Sequence, residues 1–477
     1  MTSSAEDRGR LIVVGAGPAG LAGAAAAADS GIAVTLVDAG ALAGGQFYRQ
    51  PSARFHARRP QALHHDWGTW RALRSRLDDH LAAGRIRHLA DHHVWFAERA
   101  DDGFRVRALI GPEQERSISV TAHALLLATG GYERVLPFPG WTLPGVVTAG
   151  GAQAMLKGAL VLPGSRVVVA GTGPLLLPVA AALADAGAKV SALIDSASPR
   201  ALVRRAALLA AYPDKLAEAA GYARRLARHR VPIRYSHAVV AAHGTDRVEA
   251  VTIATLDRDG RVRPGSAQRI ACDSLAIGHG MLPHLDLALT LGARIAQSGD
   301  GSSAVWIDAE QRTDVSGLWA AGEATGIGGA QLAVAEGEIA GRSIGARLRG
   351  TEPAPEAWAD AAKTRARARA FFAAIAPVYT PPVSWSDALG GETIVCRCEE
   401  VPAFAIREAV TDLGATDLRS VKLLTRAGMG WCQGRMCGPG VAAVAGCPLT
   451  PAHAPLARPV PLGVLAAPDE RGEEGTL

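Results

Sequence analysis

Cysteine is scarce in this chain, with six in 477 residues, so a disulfide framework is excluded as the source of its stability. The opening MTSSAEDRGR is too short and too polar before the first apolar run to read as a signal peptide, so reduced, cytoplasmic thiols are expected. Long hydrophobic runs are also missing. The alanine-rich stretch Leu21–Ala28 directly follows a glycine motif, which predicts a buried helix and no membrane span. Aromatics make up 5% and form no stripe with the arginines of residues 200–230 and 363–369. The net charge of +5 is therefore read as solvated helix faces, and nucleic acid is excluded as a partner.

What is present is 48% hydrophobic residues, 20% charged residues and 54 glycines, enough for two or three globular domains. Leu11–Val14 is an apolar run. It leads into Gly15, Ala16, Gly17, Pro18, Ala19 and Gly20, then an alanine-rich helix, then Val34–Val37 ending at Asp38. This is a complete βαβ nucleotide-binding unit. Gly15 makes the tight turn, Gly17 lets backbone approach a pyrophosphate, and Gly20 allows helix and strand to pack closely. The helix N-terminus faces the phosphates, and Asp38 is placed for ribose hydroxyls.

A second unit begins at Arg166 with Gly171 and Gly173, and its second strand ends at Asp195. Leu176 stands where a third glycine is usual, so helix and strand must separate or repack there. Asp195 favours NAD over NADP. Two readings stay open: a working adenine-nucleotide site, or a relic that only supports the fold.

Two further segments return the chain to the first unit. One is an apolar strand ending in Ala128, Thr129 and Gly130. The other is Gly322-Glu323, which opens a glycine-rich turn and a helix. With the glycine motif they resemble the glutathione-reductase-like flavoproteins, and that resemblance implies FAD in the first site. Glu323 stands where those proteins carry Asp, one methylene shorter. No C-x-x-C or C-x4-C pair follows either glycine motif, and Ala43-Gly44-Gly45-Gln46 fills a stretch where some relatives place one. A flavin-coupled disulfide is therefore excluded as the electron outlet.

Four of the six cysteines crowd near the C-terminal end. Cys396 and Cys398 form C-x-C, and thirty-three residues later Cys432 and Cys437 form C-x4-C. Two close thiolate pairs suit zinc or an iron–sulfur cluster. Zinc ribbons use paired C-x2-C knuckles. The asymmetric spacing, the helical patterns at Pro402–Leu413 and Thr416–Leu424, and Gly428, Gly430, Gly434, Gly438 and Gly440 favour iron–sulfur. Cys272, at the end of an apolar strand, is expected in the core, and Cys447 is expected to be structural.

The module resembles the bacterioferritin-associated-ferredoxin type of 2Fe-2S domain. Over nearly its whole length the chain resembles the alpha-type subunits of heteromeric amino- and imino-acid dehydrogenases. These include the corresponding subunits of opine oxidase, hydrogen cyanide synthase and D-hydroxyproline dehydrogenase. The carriers are GAGPAG, GGQFYRQ (44–50), residues 128–153, GEATGIGGAQLA (322–333) and CQGRMCGP (432–439).

The implied fold is α/β, with two Rossmann-like nucleotide-binding domains of the glutathione-reductase-like type plus a small helical 2Fe-2S module. Expected bounds are 10–140 with 285–350 for FAD, 141–284 for the inserted domain, 351–390 for a helix and linker, 391–450 for the module, and 451–477 for a loosely packed tail. The resemblance brings Gly45, Gln46, Tyr48, Arg49 and Gln331 to the flavin. It implies NAD or ATP at the second site and FMN at a subunit interface. It implies two partners, a D-amino-acid-oxidase-like FAD subunit and also a small ferredoxin-like protein. The resulting hetero-oligomer would be cytoplasmic, or held at the inner membrane's periphery through the complex.

The implied activity is electron relay for oxidation of the C–N bond of an amino or imino acid. No catalytic residue is identified in this chain. His279, in AIGHGMLPH, reads as a turn histidine closing a Rossmann strand. The competing readings are a stand-alone NAD(P)H-dependent flavoprotein reductase and a non-catalytic cluster-bearing scaffold.

Overall fold

The strand Arg10–Val14 is buried along Leu11–Val14, so it can only be central to a sheet covered on both faces. The computed structural model, which describes residues 9–299, 301–382, 385–451 and 454–467, places it there. The sheet order is Leu318–Ala320, Ala124–Leu127, Arg10–Val14, Ala33–Val37 and Ile86–Leu89, all parallel. The helix Pro18–Asp29 is built almost wholly of small residues because two layers press on it. One is the sheet and the other is the helix Gly329–Leu348. A Cβ on Gly337 would lie 2.1 Å from Ala19 O, and one on Gly341 would lie 2.3 Å from Gly23 O. These two helices therefore touch backbone to backbone. On the opposite face lies the antiparallel sheet His92–Ala100, Gly103–Ile110 and Arg116–Ala122, which packs Phe104 and Val106 against Ile12, Val14 and Leu127.

A second parallel sheet has the order Ile233–Tyr235, Lys189–Asp195, Arg166–Gly171, Ser274–Gly278 and Val146–Thr148. Helices Ala149–Ala159, Leu176–Asp185 and Pro213–Arg228 pack on one face around Val167, Val169, Val179 and Leu226. The antiparallel strands His237–His243, Ala250–Thr255 and Gln268–Ala271 cover the other. Cys272 is buried in that layer. The chain leaves the first sheet through Gly131–Glu133 and returns through Met281–Pro283, and these two short strands pair with each other.

After the first domain's last helix, a turn at Pro355–Trp358 opens the helix Ala359–Ile375. The cysteine module has its own core of Val395, Val401, Ile406, Val421 and Val441. Ile394–Cys396 pairs with Val401–Pro402, and helices Ala403–Thr411, Leu418–Thr425 and Gly438–Ala445 surround them. The middle helix starts two residues later than its periodicity predicts because Asp417 caps it, with Oδ1 accepting from Ser420 N at 2.7 Å.

Part of the tail differs from the loose packing expected. Ala457 is buried, and its N–H donates to Trp95 O at 2.9 Å. Arg458 reaches Gln114 Oε1 at 2.7 Å. Residues 468–477 of that expectation, and residues 1–8 of the leader reading, lie outside the described residues. Among the described residues no helix is long and apolar enough to cross a membrane.

Candidate functional site

The first glycine turn is shaped by what each glycine excludes. Gly15 has φ +104°, and a Cβ there would lie 2.3 Å from Ala128 O. A Cβ on Gly20 would lie 1.7 Å from Gly15 O, so helix and strand meet only through a bare Cα. Gly17 differs: the nearest atom to its Cβ position is Gly45 Cα, 3.9 Å away. The helix starts at Pro18 with Gly17 as its N-cap and no side chain capping it, so its first N–H groups are left to an anion. Ala19 is buried beneath Gly322. Asp38 takes Ala16 N on Oδ1 at 3.0 Å and Gly40 N on Oδ2 at 3.2 Å. Burial raises its pKa while these bonds oppose the rise. Asp38 thus braces the turn from behind.

The other expected segments converge on the same end of the sheet. Ala128 N donates to Val14 O at 2.9 Å, and Thr129 Oγ1 donates to His284 O at 3.0 Å. Gly130 has φ +71°, and a Cβ there would meet nothing within 4 Å. Glu323 accepts from Gly329 N on Oε1 at 3.3 Å, and its Oε2 borders Gly131. Burial raises its pKa. Gln331 is exposed in the first turn of the following helix. Gln46 is also exposed and accepts from Arg49 Nη2 at 2.8 Å. The open space at Gly17 and Gly130, between an uncapped helix start and the Gly322 turn, fits a dinucleotide such as FAD.

Tyr48 does not belong to this cradle. It is buried in the core and stacks on Trp70, with ring centroids 5.5 Å apart, and its hydroxyl points to Asp66 O at 3.4 Å. Within the motif that carries it, Gly44 and Tyr48 are buried and Gln46 is exposed.

Two residues that the sequence reading missed hold the Gly322 turn. Glu336 has no solvent exposure. Its Oε2 accepts from Gly322 N at 2.9 Å and Thr325 Oγ1 at 2.8 Å, and its Oε1 takes Arg369 Nη2 at 2.6 Å. Arg369, on the helix Ala359–Ile375, also donates to Thr325 O and Gly326 O. The available signal was a lone acid inside a small-residue helix, but nothing local names its partner. Arg369→Ala strands this buried carboxylate and is expected to cost about 3 kcal/mol in denaturant unfolding. Adding Glu336→Gln should recover part of that loss, and strictly additive effects would show that the two residues are not coupled.

In the second unit, Gly171 is required because a Cβ there would lie 1.7 Å from Gly278 O. Gly173 has φ +125° and faces open space. The helix begins only at Leu176, after a turn at Pro174-Leu175, and Leu176 is buried in the local core. The missing third glycine is thus absorbed by a later helix start. Asp195 is buried and accepts from Ala197 N on Oδ1 at 3.0 Å. Burial pushes its pKa up to about 6. Its carboxyl thus takes the N–H two residues on, as Asp38 does with Gly40, and the Gly173 N–H of the turn opposes the rise as well. His279 is buried, 3.1 Å from Thr172 Oγ1, and burial drops its pKa to about 4, which keeps the ring neutral.

Cys396, Cys398, Cys432 and Cys437 come together from the two ends of the module. Cys437 stands between Cys396 and Cys432, and its thiol interaction with each pulls them down to about 6 and about 5 while its own pKa rises. Cys398 adjoins Cys432. Gly428 N donates to Cys396 Sγ at 3.5 Å, and Gly430 passes so close that a Cβ would sit 2.3 Å from Cys398 Cβ. Among the described residues no three His, Cys, Asp or Glu side chains close around a single ion. A binuclear cluster spreads four thiolates over two irons, and an all-thiol set of four with a backbone N–H on sulfur fits it. Cys447 stands apart from this set, with its N–H on Ala442 O.

The pyridine nucleotide-disulphide oxidoreductase pattern matches residues 9–337, and the BFD-like 2Fe-2S binding domain pattern matches residues 394–445. Hydrogen cyanide synthase subunit HcnB of Pseudomonas protegens is 32% identical over 442 residues, 89% of this chain and 89% of that protein. An opine oxidase subunit of Agrobacterium tumefaciens is 34% identical over 441 residues, 90% of this chain and 83% of its own. Among solved structures, L-proline dehydrogenase from P. horikoshii has a similar fold, with a TM-score of 0.65 at 20% identity over 96% of this chain and 79% of that one.

Proposed function

Because the chain belongs to the pyridine nucleotide-disulphide oxidoreductase family and carries a BFD-like 2Fe-2S domain, we propose that it is the electron-transfer subunit of a heteromeric oxidase or dehydrogenase. Its substrate class is an amino or imino acid oxidised at the C–N bond. The observation that carries this reading is the seating of the cysteine module on the segment that leaves the flavin cradle. Trp141 Nε1 donates to Ile394 O at 2.6 Å, and Gly440 packs on Pro137 so closely that a Cβ would lie 3.0 Å from Pro137 Cδ. FAD, when bound, accepts two electrons and releases them singly, and a 2Fe-2S centre passes one at a time. The chain's own part is to hold the two sites side by side. Gly17 and Gly130 leave room for the dinucleotide, and Gly45 packs against Gly17, where a Cβ on Gly45 would lie 2.7 Å from Gly17 Cα. Asp38 and Glu336 brace the turns, and the four cysteines close the exit.

Substrate oxidation then falls to a partner, a D-amino-acid-oxidase-like FAD subunit, with FMN at the shared interface. A small ferredoxin-like protein is a further component. The names of the relatives, as subunits of opine oxidase and hydrogen cyanide synthase, support this assignment. The complex is proposed to work in the cytoplasm or at the inner membrane's periphery. The second nucleotide site is proposed to take NAD or ATP in a structural role. The displaced helix start argues against NAD(P)H as electron source.

Co-expression with such a partner tests the proposal. The two chains are expected to co-purify, and an amino or imino acid should bleach flavin absorbance only in the complex. Rapid bleaching of the isolated chain by NADH would overturn the reading in favour of a stand-alone reductase.

A further inference from the structure

Between the two cysteines of CQGRMC stands Arg435, whose guanidinium reaches three ways. Nε donates to Asp286 Oδ2 at 3.1 Å, Nη1 donates to Cys432 O at 3.4 Å, and Nη2 donates to Ala457 O. Asp286 opens the helix Asp286–Thr290, just after the strand that returns to the first domain. His284, two residues earlier, brings Nε2 within 2.7 Å of the same Oδ2. His284 is itself locked to the flavin-side turn. Its N–H donates to Gly130 O at 3.0 Å, and its carbonyl accepts from Thr129 Oγ1 at 3.0 Å. A continuous line of polar contacts therefore runs from Thr129-Gly130 through His284, Asp286 and Arg435 to the backbone of Cys432. Arg435 and Asp286 are each about one-fifth exposed, so their charges are only partly screened by solvent.

We propose that Arg435 and Asp286 form a strut that fixes the cysteine loop against the flavin-side turn, and that their opposed charges set the reduction potential of the cluster. Both are positioning residues. The inference rests on the flavin and 2Fe-2S reading given above. Its physical basis is that added positive charge near a cluster stabilises the reduced, more negative form and raises its potential, whereas added negative charge lowers it. Distance between the centres controls how fast an electron crosses, and the fork of Arg435 holds three anchor points that a lysine cannot hold at once.

The test uses the full-length chain reconstituted with FAD and its cluster, and circular dichroism to confirm folding. EPR-monitored redox titration should show a lower cluster potential in Arg435→Gln and a higher one in Asp286→Asn. Arg435→Lys keeps the charge, so its potential should stay near that of the parent. Stopped-flow transfer from photoreduced flavin to cluster should nonetheless slow in Arg435→Lys. Unshifted potentials, or shifts of the same sign in Arg435→Gln and Asp286→Asn, would overturn the strut while leaving the cofactor reading intact. Equal behaviour of the lysine and glutamine variants would also overturn it. If the parent chain itself gives no 2Fe-2S signal, the cofactor reading falls and the strut falls with it.

Discussion

Cys437→Ser is expected to remove the cluster entirely. Cys437 is the thiol that adjoins both Cys396 and Cys432, so its loss breaks the set at its centre. A serine hydroxyl gives up its proton far less readily than a thiol and is a harder ligand, poorly matched to iron–sulfur chemistry. The rest of the chain should survive. Cys437 packs with Val395 and Val441 in the module's own core, which is separate from the cores under the two parallel sheets. The expected result is loss of the visible cluster absorbance and of the EPR signal of the reduced protein, with flavin still bound. Cys447→Ser is the matched control and should keep both signals. Retained iron with an unchanged EPR spectrum in Cys437→Ser would remove this residue from the ligand set.

Gly17→Val should give the second large effect, the loss of bound flavin from a chain that still folds. The two neighbouring glycines show why this position separates binding from folding. At Gly20 a Cβ would lie 1.7 Å from a backbone oxygen, and at Gly15 2.3 Å from another. No rearrangement short of moving strand against helix admits a side chain at either. Gly17, by contrast, has φ −78° and ψ −176°, ordinary extended backbone for any residue. Its Cβ position meets only Gly45 Cα, at 3.9 Å. Glycine here therefore serves the ligand and not the fold. A valine would project into the space before the Pro18 helix start, where a pyrophosphate would lie. Far-ultraviolet circular dichroism should be unchanged while the flavin-to-protein ratio drops to near zero. The unfolding free energy should fall only by the stabilisation a tight ligand confers, about 3–4 kcal/mol. A Gly17→Val protein with a normal flavin ratio would show that the dinucleotide does not pass over this turn.

Much of the first site could be read from the chain because its determinants are local. Gly15, Gly17 and Gly20 sit in one turn, and the apolar strand before them and Asp38 after them belong to one βαβ unit. The four cysteines were legible for the same reason, since each pair is close in sequence. What escaped was long-range or depended on one residue's direction. Glu336 and Arg369 are on different helices, and each alone resembles an ordinary charged residue of an alanine-rich helix. Tyr48 lies in a motif that lines the cradle, yet its ring turns away onto Trp70. Asp195 ends its strand as Asp38 does and takes the N–H two residues on in the same way, so this residue type does not separate the two units. The docked stretch around Ala457 looked like a free tail because its anchors, Trp95 and Gln114, lie in a hairpin sheet far upstream.

The backbone-to-backbone seam between Pro18–Asp29 and Gly329–Leu348 also bears on the order in which the protein is made. The earlier helix must wait for one that emerges after the second sheet is complete in sequence. The strand Leu318–Ala320 arrives equally late to its place beside Ala124–Leu127. All strands of the inserted sheet, from Val146 to Gly278, are by then already synthesised. The younger part of the polypeptide thus closes the older one, and contacts so distant along the chain are slow to form. During synthesis the alanine face of the earlier helix stays uncovered until the later helix arrives, which leaves an apolar surface to be shielded in a nascent chain.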